Sequence, residues 1–165
     1  MTTIHYRDFA IPVPGLGMVR IVGHGEALTH CSFFDSRQAA PVPPDWQRPD
    51  TDSLLDNCQH LLNDYFTTGR LSGNITLAPA GTDFQRRVWD VVQEIPVGET
   101  CTYAEIAARI GRPSAVRAVA AAIGRNPVCI FIPCHRVIGS NGALTGYAWG
   151  LERKAQLLKL ESALR

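Results

Sequence analysis

Thr102-Tyr103-Ala104-Glu105-Ile106-Ala107-Ala108-Arg109-Ile110-Gly111-Arg112-Pro113-Ser114-Ala115-Val116-Arg117-Ala118-Val119-Ala120-Ala121-Ala122-Ile123-Gly124 carries more of the architecture than any other run in this chain. Thr102 and Glu105 stand at capping-box spacing, which predicts a helix from Tyr103 to Ile110. Gly111-Arg112-Pro113 stops it, and Ser114 is placed to cap a second helix from Ala115 to about Ile123, before Gly124. Two short helices joined by a tight, Gly-containing turn read as a helix-turn-helix. In the second, Ala115, Ala118, Ala120, Ala121 and Ala122 surround a single Arg117. Small side chains let a helix approach a surface closely, and a groove of DNA or a neighbouring helix would each satisfy that.

Toward the C-terminus, Asn126-Pro127-Val128-Cys129-Ile130-Phe131-Ile132-Pro133 is apolar enough to predict a buried strand with a thiol at its end, in Ile132-Pro133-Cys134-His135-Arg136-Val137-Ile138-Gly139. Cysteine is a strong nucleophile only as thiolate, so a neighbouring imidazole and a preset backbone suit a reactive thiol. On extended chain, adjacent side chains point to opposite sides, which disfavours a direct Cys134–His135 pair and favours a bridging water. His135 would then need an acceptor to fix its tautomer. A last helix predicted from Leu151 to Leu164 supplies Glu152 and Glu161.

Toward the N-terminus, Thr82 and Gln85 form a second capping-box pair, opening a helix from Asp83 to Glu94. Ala78-Pro79-Ala80-Gly81 before it reads as a linker, dividing the chain into residues 1–78 and 79–165. In the first part, strand-like pieces lie at Ile4–Tyr6, Met18–Val22 and Leu28–Phe34, separated by Pro- and Gly-containing turns. Asp52 to Phe66 places Leu54, Leu55, Cys58, Leu61, Leu62, Tyr65 and Phe66 at helical spacing, with Gly69 as a stop. The expected class is α/β (α+β): a small antiparallel sheet covered by a helix, then a helix-rich unit.

The chain has 165 residues, 45% of them hydrophobic, enough for one core or two small ones. Net charge is +1, but residues 1–80 hold 5 basic and 8 acidic side chains and residues 81–165 hold 11 and 7. From Ile106 to Leu151, 46 residues contain no acid and include Arg109, Arg112, Arg117, Arg125 and Arg136. Such a field suits a polyanion, or a solvated basic face. Five cysteines cannot all pair, and the N-terminus lacks a signal-peptide pattern, which points to a reducing cytoplasm. No run reaches the roughly 18 to 20 apolar residues of a membrane span, so no membrane partner is expected. No phosphate-cradling Gly-rich loop or dinucleotide fingerprint appears, so no nucleotide cofactor is implied.

Pro133-Cys134-His135-Arg136-Val137 resembles the active-site signature of the O6-alkylguanine-DNA alkyltransferases, also called methylated-DNA–protein-cysteine methyltransferases. Arg117-Ala118-Val119, Asn126-Pro127, Gly146-Tyr147, Lys154 through Leu158 and Glu161 also fall at the family's spacings, from Gly81 to the end. Residues 1–80 resemble its variable N-terminal domain in size and pattern. The resemblance implies a ribonuclease-H-like N-terminal unit and a winged-helix-like catalytic unit. It implies irreversible transfer of an alkyl group from O6-alkylguanine in double-stranded DNA to Cys134, with His135 as water-mediated base and Glu161 as its orienting carboxylate. O4-alkylthymine is a further candidate substrate, and the protein is expected to act as a monomer.

By the same resemblance, Asn126 braces the thiol-bearing turn, and Tyr103 donates toward the purine as negative charge develops. Arg117 enters the stack where the base has left, and Arg112, Ser114 and Ser140, with Gln85 and Ala104, are candidates for DNA contact. Donors near Ala148 would hold O6, and carbonyls of Cys134 and Val137 would read the guanine amino group in a pocket completed by Tyr147 and Trp149. Trp149 stands where relatives often have glycine, so it either narrows the pocket in favour of methyl adducts or packs over the loop. Cys101 and Cys129 are read as structural. Some relatives bind structural zinc in the N-terminal part, but His5, His24, His30, His60 and Cys31 fall in no ligand spacing, so no metal is expected. Two other classes fit part of this pattern: a lesion binder that does not transfer, and a thiol hydrolase that turns over.

Overall fold

The structure, a computed structural model, describes residues 2–35 and 41–162. Ile4–Ala10 (β1), Met18–His24 (β2) and Ala27–Phe34 (β3) form an antiparallel sheet in the order β1-β2-β3, with Tyr6 opposite Val22 and Ile21 opposite Cys31. Ser53–Thr68 (α1) covers one face. Asp52 caps it by accepting from the Leu55 N–H, and Gly69 ends it at φ 75°, its N–H on the Tyr65 carbonyl. The apolar stripe read from the sequence is the buried stripe: Leu55, Cys58, Leu62 and Tyr65 are inaccessible.

Asp83–Gln93 (α2) opens on the full Thr82/Gln85 capping box. A Cβ at Gly81 would lie 2.6 Å from the Trp89 ring, so only glycine lets the linker pass over that buried indole. Trp89 Nε1 donates to the Ala122 carbonyl at 2.9 Å, fastening α2 to the second helix of the helix-turn-helix. That motif comprises Tyr103–Arg109 (α3) and Val116–Gly124 (α4), with Gly111 at φ 77° in the turn. Cys101–Thr102 (β4) pairs in parallel with Val137–Ile138 (β5), and Leu151–Ser162 (α5) closes the chain. The part of the expected last helix beyond residue 162 lies outside the described residues.

Two local expectations are corrected. Ser114 does not cap the second helix: the N-cap is Ala115, with no side-chain bond, and the helix begins at Val116. The run 128–132 is not a strand. Only Val128 makes a bridge, to Cys31, with the Cys31 N–H on the Pro127 carbonyl and the Cys129 N–H on the Cys31 carbonyl. Ile130 then turns left-handed at φ 71°, and Cys134–Arg136 form a short 3-10 turn. A positive φ on a β-branched residue is unfavourable and persists only where its surroundings hold it. Asn126 is that restraint, taking the Val128 N–H on Oδ1 and giving Nδ2 to the Ile132 carbonyl.

One apolar cluster runs from Phe9 on β1 to Leu157 on α5, crossing the linker at residues 78–81. The segment bearing Cys134 therefore sits on the sheet edge rather than apart from it.

Candidate active site

Cys134 is 4% exposed at the floor of an open cavity of about 600 Å³, walled by Tyr103, α4 residues including Val116, Arg117 and Ala120, and Thr145 to Ala148. Asn126 Nδ2 lies 3.1 Å from its sulfur as well as 2.8 Å from the Ile132 carbonyl, so one amide holds both the turn and the thiol. Burial pushes the Cys134 pKa up to about 11, against the opposing pull of the Asn126 bond, the Lys154 charge and nearby backbone N–H groups. At neutral pH the resting group is a thiol, and attack requires removal of its proton.

His135 is fully buried, with Nε2 2.6 Å from Glu161 Oε2. Burial would raise the Glu161 pKa, but the His135 and Arg136 bonds outweigh it and hold the group at about 2. An ionised carboxylate only accepts, so Nε2 carries the proton and Nδ1 carries the lone pair. Nδ1 is buried and has no protein partner among the described residues, which leaves it available as a base. Burial also lowers the His135 pKa, with Glu161 opposing, so the imidazole is neutral at rest. Cys134 and His135 make no direct bond, as expected, but the cause is the 3-10 turn rather than an extended chain.

Several other polar groups complete the site, and their burial was not read from the sequence. Arg136, 5% exposed, gives Nε to Glu161 Oε1 at 2.8 Å, Nη2 to Oε2 at 3.0 Å and Nη1 to the Ile95 carbonyl at 2.7 Å. Lys154 is inaccessible, and its ammonium donates to the carbonyls of Val137 (2.6 Å), Thr145 (2.9 Å) and Gly146 (3.2 Å). It ties the strand after Cys134 to the loop that walls the cavity. The available signal was positional: Lys154, Leu157 and Glu161 share one face of α5, and Leu157 marks that face as buried. Lys154→Met should leave the buried Val137 carbonyl and the part-buried Gly146 carbonyl short of this donor, while Thr145 keeps the Tyr103 hydroxyl, and lower stability by about 1 to 3 kcal/mol. Chemical denaturation checks this, and an unchanged midpoint would mean the loop does not depend on the ammonium.

Among the other sequence-predicted residues, Tyr103 lines the cavity, and its hydroxyl donates to the Thr145 carbonyl at 3.0 Å. Arg117 projects from α4 at the cavity rim, and Ala104, Arg112, Ser114 and Ser140 are exposed. Gln85 has Oε1 committed to the Thr82 N–H. Tyr147 and Ala148 line the cavity, but Val137 and Trp149 do not. Trp149 packs edge-on against Phe33 and Tyr147, with ring centroids 6.2 and 5.3 Å away, which is the packed arrangement of the two alternatives. The Val137 carbonyl already accepts from Lys154, and the Cys134 carbonyl from the Val137 N–H.

Cys129 and Cys31 are buried with sulfurs 3.4 Å apart, and Cys101 gives its thiol to Glu105 at 3.1 Å. Among the described residues, no group of three or more His, Cys, Asp or Glu side chains is placed to hold a metal. No helix there is long and apolar enough to cross a membrane.

Residues 83–163 match the family model described as the DNA-binding domain of 6-O-methylguanine DNA methyltransferase. The methylated-DNA–protein-cysteine methyltransferase of Methanosarcina acetivorans is 43% identical over 160 residues, covering 97% of this chain and 99% of that protein. Its namesake from Mycobacterium tuberculosis is 42% identical over 160 residues, covering 97% and 93%. The crystal structure of Mycobacterium tuberculosis OGT in complex with DNA superposes with a TM-score of 0.84 at 41% identity, covering 97% of this chain and 94% of that one.

Proposed function

The chain belongs to the methylated-DNA–protein-cysteine methyltransferase family, and from that premise we propose how its own side chains move a methyl group from O6-methylguanine in duplex DNA to Cys134. It is a DNA-repair transferase, and the proposal assigns the roles. The observation that carries them is a nearly buried thiol lining an open cavity and held by Asn126, followed in the chain by a buried imidazole in contact with a carboxylate.

With the modified guanine turned into the cavity, a water bridging Sγ and His135 Nδ1 relays the thiol proton to the imidazole, and Glu161 stabilises the imidazolium. The thiolate attacks the methyl carbon in line: the S–C bond forms, the O6–C bond breaks, and the electron pair goes to the purine. Tyr103 releases the Thr145 carbonyl and donates to the purine as that charge grows, while backbone donors near Ala148 receive O6. The thioether has no path back to a thiol in this chemistry, so each molecule acts once. Incubation with a duplex containing O6-methylguanine should add the mass of one methylene group to the peptide bearing Cys134, with one equivalent consumed. Multiple turnovers would indicate a hydrolase, and an unmodified peptide on retained DNA would indicate a lesion binder.

Base extrusion costs a few kcal/mol, and Arg117 at the rim is placed to fill the space left in the stack. Arg117→Ala should slow transfer on duplex about tenfold while leaving single-stranded substrate little changed, since only the duplex has a stack to fill. Equal losses on both would remove this role. Arg112, Ser114, Ser140, Ala104 and Gln85 are proposed as DNA contacts, and affinity should fall with salt. The relay is assembled within one chain, which supports action as a monomer. Five free cysteines suit a reducing compartment such as the cytoplasm. We retain a division after residue 78, with the N-terminal part supporting the reactive one.

A further inference from the structure

Tyr65 lies on α1, in the N-terminal part of the chain, where its spacing had marked it only as core. It is inaccessible, its ring edge-on to Phe66 with centroids 5.5 Å apart. Its hydroxyl donates to Glu161 Oε2 at 2.5 Å, across 96 positions of sequence. The same oxygen accepts from His135 Nε2 at 2.6 Å and Arg136 Nη2 at 3.0 Å. The other oxygen accepts from Arg136 Nε at 2.8 Å. A phenylalanine would fill the ring's space equally well, so what the hydroxyl adds is this one bond, on the oxygen that faces the base.

We propose that Tyr65 is a positioning residue for methyl transfer: its hydroxyl pins Glu161 Oε2 against His135 Nε2 and disperses part of the carboxylate charge, setting how strongly Glu161 holds the imidazole proton. The inference rests on the reading of His135 as the base. It gives the N-terminal part a specific atom in the relay, beyond packing.

The groups facing the imidazole are Glu161 and Lys154 from α5, with Arg136 beside it. Those facing the Tyr65 hydroxyl are Glu161, Arg136 and Cys129. Glu161 raises the His135 pKa, while Arg136 and Lys154 lower it. A carboxylate relieved of the Tyr65 donor would bear more charge toward Nε2. His135 would then hold a proton to higher pH, and the acid limb of the rate profile would move up.

The test is single-turnover transfer from O6-methylguanine duplex, followed from roughly pH 5 to 9, for the full-length protein, Tyr65→Phe and Glu161→Gln. Tyr65→Phe should be about tenfold slower near neutrality, with its acid limb about half to one pH unit higher and duplex affinity unchanged. A folded Tyr65→Phe protein with the parent rate and limb would overturn the proposal. Should that variant lose cooperative unfolding, 3-fluorotyrosine at position 65 retains the hydroxyl and makes it a stronger donor. The limb should then move down, and an unmoved limb would overturn the proposal. Slowing by Glu161→Gln without any effect at Tyr65 removes only the tyrosine's role. Parent behaviour in Glu161→Gln removes the relay itself.

Discussion

Cys134→Ala should abolish methyl transfer, a loss of the whole catalysed acceleration, at least about 10⁶-fold on the ordinary enzymatic scale. Duplex binding should change by less than about threefold, under 1 kcal/mol. The asymmetry follows from position. Cys134 is 4% exposed at the cavity floor, whereas Arg117, Arg112 and Ser140, which carry the proposed DNA contacts, are exposed. Cys31, Cys58 and Cys129 are buried, with pKa values raised chiefly by burial, so none offers a substitute nucleophile. Alanine also fits the turn, because Asn126 retains its bond to the Ile132 carbonyl when the sulfur is gone. Rapid-quench assay and gel shift on the same duplex read the two effects separately. Transfer surviving in this variant would place the nucleophile elsewhere, and loss of binding with transfer would make the thiol structural.

Glu161→Gln should slow transfer by about 10²- to 10³-fold, part of the roughly 10²- to 10⁴-fold that a positioned general base contributes, because His135 would lose the carboxylate that stabilises its imidazolium. It should also destabilise the fold by about 3 to 5 kcal/mol, because Arg136 would keep a buried charge with its carboxylate partner removed. The pH dependence has a definite sign. Glu161 titrates near 2 in the folded chain against an ordinary value of 4.5, so its stabilisation is complete above 4.5 and is lost as pH falls through about 2. The His135 pKa is depressed below its ordinary 6.5, so below that value the unfolded chain binds the extra proton and stability again falls. Both groups make the protein acid-labile. In Glu161→Gln, the part of that lability lying between pH 4.5 and 2 should vanish. Denaturant midpoints at a series of pH values check it, and a variant with the parent's full acid slope would show that Glu161 is not the titrating group.

The legible parts of this protein were those set by short-range chemistry. The Thr82/Gln85 box, the Asp52 to Gly69 helix with its buried stripe, the three strands and the helix-turn-helix all depend on residues within a few positions of one another. Ser114 misled because its hydroxyl fits a cap, while the turn in fact places Ala115 at that position. The run 128–132 misled because its composition suits a strand. Its path is decided by Asn126 and by the edge of β3, and those contacts override local preference at Ile130. Trp149 lies in the expected loop, but its direction is set by Phe33 and Tyr147.

By itself, the sequence determined that a thiol next to an imidazole follows an arginine-bearing, alanine-rich helix, because covalent order and helical period place those groups without reference to the rest. The tertiary structure decided which polar groups lose water together. Tyr65, His135, Arg136 and Glu161 meet around one carboxylate, and Lys154 gathers three carbonyls behind the cavity wall. Burial pushes the thiol and the imidazole toward their neutral forms, while Arg136 and His135 hold the carboxylate ionised. Those shifts arise from desolvation and from charges brought within a few ångströms, and only the folded chain supplies them.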